Sequence, residues 1–151
     1  MAKILTGEEV ISALATKIRN GFTTTEIQAV YKDTPIENML KPCVFLNLIN
    51  SIHTPTMRNR GNRNYLIDII VTGSDDNTEL YTWYTKIAER LYYIIDTIII
   101  DNQAVKLVRG ESNIENDELH LIVTYNFDVI KYDGDDIGTI MQTRSYKGRV
   151  I

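Results

Sequence analysis

A chain of 151 residues with 44% hydrophobic and 24% charged residues fits one soluble-type domain and needs no disulfide or metal to close its core. A domain of this size removes roughly 68–70% of its unfolded surface from water. The net charge of −4 supplies no general attraction for nucleic acid or an anionic membrane, and a single cysteine, Cys43, excludes an internal disulfide framework.

The opening residues MAKILTGEEV bring acids before any long apolar run, so no secretory leader is expected. Thr6 and Glu9 have the spacing of a capping box. Val10, Ile11, Leu14 and Ile18 then recur at helical spacing and Gly21 follows, which predicts an amphipathic helix over about 7–20. Ile27, Ala29 and Tyr31 alternate with polar residues as in a short strand. A loop bracketed by Pro35 and Pro42 comes next. Cys43 to Asn50 and Tyr65 to Thr72 are nearly continuous apolar runs, as expected of central strands covered on both faces. Between them lies a polar stretch with Arg58, Arg60 and Arg63 around Gly61, read as an antiparallel hairpin with a long arm or loop.

Asp76 precedes Glu79 by three residues and marks a second helix start. Leu80, Trp83, Tyr84, Ile87, Leu91, Ile94, Ile95 and Ile98 follow at a period near 3.6, predicting a helix over about 77–99 that Asp101-Asn102 ends. Trp83, Tyr84, Tyr92 and Tyr93 lie on it as core or core-margin residues, and its edge could join an interface. A strand is expected over Ala104 to Arg109, then an exposed acidic linker, GESNIENDEL. From Leu119 to Lys131 strict alternation places Leu119, Leu121, Val123, Tyr125, Phe127 and Val129 on one face of a strand. The segment after Lys131 has three glycines, no clear period and a basic end, and reads as an extended C-terminal arm. The expectation is a single α+β domain over 1–132, with the arm over 133–151. It has the order α-β-β-β-α-β-β, a mainly antiparallel sheet and two helices packed on it.

Residues suited to catalysis are sparse. His53 and His120 lack metal-type neighbours at an ordered spacing, and His120 falls on the polar face of its strand, as a surface residue would. Cys43 reads as a small buried hydrophobe. No GxxxxGK[ST] or GxGxxG pattern occurs. Asp133, Asp135 and Asp136 imitate part of a calcium loop without its distal Glu, so a solvated turn is expected. No enzyme activity, cofactor or metal is expected. The arginine segment allows three readings: a solvated loop, a phosphate contact, or a contact with an acidic patch on another protein. It has no interleaved aromatic platform for single-stranded nucleic acid.

The capped first helix, the run KPCVFLNLI, the arginine-bearing hairpin leading into YLIDIIVTG, the acid-led second helix and the closing DELHLIVTYNFDVIKY together resemble the tail terminator (tail-completion) proteins of phages, in particular those of contractile tails and phage-tail-like bacteriocins. The resemblance covers about residues 5–132 and rests on element order and local style. It implies a structural protein without an active site: a homo-oligomeric, typically hexameric ring that caps the tail tube, stops its polymerisation and meets the neck, collar or sheath. Its implied partners are itself, the tube protein and the sheath and collar proteins, with DNA only as cargo and no membrane. It would assemble in the host cytoplasm and leave with the particle. Ring closure needs two different patches on one subunit. The basic hairpin (Arg58, Arg60, Arg63) and the acidic linker (Glu111, Glu115, Asp117, Glu118) are opposite in charge and are the candidate pair. The arm, with Arg144, Tyr146, Lys147 and Arg149, is a further candidate for reaching across a neighbour. A head-completion or connector neck protein, or a small nucleic-acid-binding module using Arg58–Arg63, are the alternatives.

Overall fold

The structure, a computed structural model, describes residues 7–32, 39–100 and 102–130. Its elements are α1 (Gly7–Gly21), β1 (Ala29–Tyr31), β2 (Cys43–Met57), β3 (Arg60–Thr72), α2 (Leu80–Ile95), β4 (Thr97–Ile100), β5 (Gln103–Glu115) and β6 (Glu118–Ile130). The strands form one six-stranded sheet in the order β1-β2-β3-β6-β5-β4. All neighbours are antiparallel except β1 and β2. The predicted order holds, with one short strand, β4, added before β5. Thr6, Pro35 and the whole 133–151 arm lie outside the described residues.

Alternation decides which face is buried. Tyr65, Ile67, Ile69 and Val71 of β3 and Leu119, Leu121, Val123 and Tyr125 of β6 point to one side and are buried. The apolar stripe of α1 (Val10, Ile11, Leu14, Ile18) and that of α2 (Tyr84, Ile87, Leu91, Ile95) join them in a single core. Fully burying each such side chain contributes roughly 1.5–3 kcal/mol. On β2 only Cys43 to Leu46 are buried on both faces, with Phe45 stacked on Tyr31 at 5.2 Å between ring centroids. Leu48, Ile49 and Ile52 are exposed, so the expected two-sided cover ends where β2 outruns β1.

Three expectations need correction. The second helix stops at Ile95, and Ile98 belongs to β4. Thr97-Ile98-Ile99-Ile100 is a β-branched run, which favours a strand, and it folds back on β5 through Asn102 in the left-handed region (φ 65°). The same helix begins at Leu80 with Glu79 at its N-cap, and no side chain caps it. Asn77 accepts from the Glu79 amide instead, and Asp76 accepts from the Ser74 hydroxyl. The predicted acidic linker is largely strand: residues 103–115 are β5, and only Asn116 and Asp117, both at positive φ (52° and 62°), turn the chain into β6.

Candidate protein–protein interface

The arginine stretch is a two-stranded ribbon. β2 and β3 continue past the core, with His53 opposite Arg63, Pro55 opposite Gly61 and Arg58-Asn59 in the turn. Gly61 faces the His53 ring, which a Cβ would meet at 2.4 Å, so a side chain there would require that exposed ring to turn away. The Arg63 Nε donates to His53 Nδ1 at 3.3 Å. Arg58 and Arg60 are exposed at the tip. Below the tip, Asn126 on β6 donates to Asn62 at 2.7 Å and to Asn64 at 2.6 Å, both on β3. This uncharged amide ladder holds the ribbon to the sheet.

The acidic turn is built differently. Tyr84, fully buried on α2, receives the Gly73 N–H at 3.0 Å and donates to the Asp117 carbonyl at 2.6 Å. Tyr81, one turn earlier, donates to the Asp117 carboxylate at 3.0 Å, and that bond holds the Tyr81 hydroxyl above its usual pKa. Thr72 donates to Glu118 at 3.0 Å. Glu115 lies directly opposite Glu118 in the ladder, and Glu111 pairs with Arg109 at 3.7 Å. Asp117 ties this end of the sheet to the start of α2, with Glu115 and Glu118 beside it and Glu111 further along β5.

Register places the two clusters. Arg60 is opposite Ile130 and Val71 is opposite Leu119, so the ribbon tip and the acidic turn lie at opposite ends of the sheet. The thirteen residues of β3, at roughly 3.3 Å each, put them on the order of 40 Å apart along the strands. The structure therefore places Arg58, Arg60 and Arg63 on one ribbon, with Arg60 and Arg63 on its opposite faces, gathers Glu115, Asp117 and Glu118 at the turn with Glu111 four residues further along β5, and separates the two groups. Arg144, Tyr146, Lys147 and Arg149 lie outside the described residues.

A feature missed from the sequence is the free edge of β5. β4 covers only Gln103 to Lys106, and Leu107 donates to the Asp96 carbonyl. Among the described residues nothing pairs with the outer edge from Val108 to Glu115. Beside that edge runs a groove of about 260 Å³ against α2, lined by Thr85, Glu89, Tyr92, Ser112, Asn113 and Ile114 among others. Tyr92 lies over Gly110, where a Cβ would approach its ring to 2.7 Å.

His120 is not the surface residue expected. It is half-buried and its Nδ1 meets the equally sheltered Asp68 carboxylate at 3.0 Å. Cys43 is buried, and burial raises its thiol pKa. Among the described residues no three His, Cys, Asp or Glu side chains gather as metal ligands would, and no helix is long and apolar enough to cross a membrane. The acids Asp133, Asp135 and Asp136 lie outside the described residues.

The fold is similar to that of a chain in the virion of a native gene transfer agent particle, with a TM-score of 0.54 at 13% identity over 80% of this chain and 94% of that one. A second solved chain aligns over 85% of this chain and 98% of its own at 9% identity, with a TM-score of 0.38. No curated protein matches the sequence. The family model described as phage tail terminator protein matches residues 9–137, which takes in all the helices and strands of the sheet apart from the first two residues of α1. The chain belongs to the phage tail terminator protein family.

Proposed function

We propose that this protein closes into a homo-oligomeric ring, hexameric by the family resemblance, that caps the tail tube, stops its growth and joins it to the neck, collar or sheath end. The observation that carries this reading is the separation of the two charged clusters. A ring contact is heterologous: one subunit offers a patch that differs from the patch its neighbour offers. An arginine ribbon at one end of the strands and a carboxylate turn at the other meet that requirement without either patch recognising itself. Arginine also suits the task, because its planar guanidinium pairs with carboxylates through two parallel hydrogen bonds. The role is structural, and the ring would form in the host cytoplasm and leave with the particle.

The first experiment is the mass of the purified protein in solution, alone and with its tube protein. A ring-sized species, or one that forms only on tube ends, supports the reading. Reversing Arg58, Arg60 and Arg63 to Glu should abolish the ring and its salt dependence while leaving the fold intact. If the reversed variant assembles with unchanged salt dependence, the charged contact is wrong. A strict monomer that ignores tube ends but binds DNA in low salt would transfer the function to a nucleic-acid module using the same arginines.

A further inference from the structure

Three observations converge on the free edge of β5. First, Val108 to Glu115 presents unpaired backbone groups beside an open groove, the usual template for an added strand. Second, the surroundings are acidic: Glu89 lines the groove, Glu111 and Glu115 lie on the edge, Asp117 closes the turn, and Arg109 is already paired with Glu111. Third, residues 137–151 carry Arg144, Lys147 and Arg149 with no acid, and their β-branched run Thr139-Ile140 suits a strand.

We propose that the C-terminal arm of a neighbouring copy adds as a strand to the Val108–Glu115 edge of β5 and lies in the groove against α2. The proposal rests on the ring reading above. β6 ends at Ile130, opposite Arg60, so the arm leaves the sheet at the arginine tip. Where that tip meets the next subunit's acidic turn, the arm emerges beside the next subunit's β5. Residues 131–136 give about 20 Å of extended chain to span the junction, and because they carry Asp133, Asp135 and Asp136 the charge pairing with the acidic edge rests on residues 137–151 alone. The arm then runs from the Glu115 end towards Val108, antiparallel to β5, which is the better-paired direction. On its own subunit the same arm would have to pass outside β4 and would run parallel to β5. The neighbour's edge is the shorter and better-paired route.

The test uses full-length chains in two preparations, one with Asn113→Cys and one with Thr143→Cys, mixed under mild oxidation. Cys43 is buried and does not compete. The expected result is a disulfide-linked pair in the mixture, and a ladder of linked subunits when one chain carries both substitutions. In parallel, amide exchange at residues 108–115 should slow at least tenfold in the ring relative to the diluted monomer. A link formed only within single chains overturns the proposal, because the arm then serves its own subunit. Unchanged exchange at 108–115 in a ring confirmed by light scattering also overturns it and leaves the ring reading standing. If no ring forms with or without tube ends, both fall together.

Discussion

Tyr84 satisfies two backbone groups with one hydroxyl, and both sit where the chain leaves a strand. Removing that oxygen leaves the Gly73 N–H and the Asp117 carbonyl without it. Tyr84→Phe should therefore cost about 1–3 kcal/mol, read as a lower urea midpoint with an unchanged slope. Glu26 makes a pH-dependent contact instead. The Arg90 guanidinium, aided by the Thr23 backbone amide, lowers its pKa from 4.5 to about 2. Its folded value lies below its unfolded one, so the stabilisation is fully present above pH 4.5 and is lost as the pH falls towards 2. Both side chains are partly exposed and solvent screens the pair, so the effect is small. Glu26→Gln should flatten the melting temperature against pH across that window and leave the profile near neutrality almost unchanged.

At the scale of elements, the sequence showed most where period and burial coincide. The alternation from Leu119 to Phe127 is strict because one face of β6 meets the helices and the other does not. The helical stripe of α2 was equally clear, but its end was not: Ile98 continues the 3.6-residue period by chance while its β-branched neighbours form a strand. GESNIENDEL hid a strand because both of its faces are exposed there, and a strand without a buried face has no apolar alternation to read. Among the site residues, the two charge groups were visible as composition. Their placement at opposite ends was not, because it follows from cross-strand register. The ribbon gives an element-level prediction. Residues 51–56 of β2 are exposed and lie beyond the core, so trimming Pro55–Gly61 to a two-residue turn, which keeps Asn62 and its bonds to Asn126, should leave a cooperative melt nearly in place by circular dichroism. The same variant should lose ring formation by light scattering.

For the whole molecule, one sheet carries the core on one side and ends in unlike groups at its two poles. Folding and assembly therefore draw on different residues, and truncation can separate them. A chain ending at Asp133 should fold to the wild-type circular dichroism spectrum yet assemble poorly at concentrations where the full chain forms rings. If the truncated chain assembles as well as the full one, the arm has no part in the contact. The exception to this separation is the tie from α2 to the acidic turn, because Asp117 is held by Tyr81 and Tyr84 and α2 is held by the core beneath it. A genetic screen for assembly-defective alleles would accordingly return two kinds of hit. Some would fall on the exposed carboxylates and arginines. Others would fall under α2, at Gly73, Tyr84 or Leu91, in chains that still fold but present the turn at the wrong angle. Second-site suppressors would tell them apart: partners to the first kind would map to the neighbouring subunit's ribbon, and partners to the second would map to the same subunit's core.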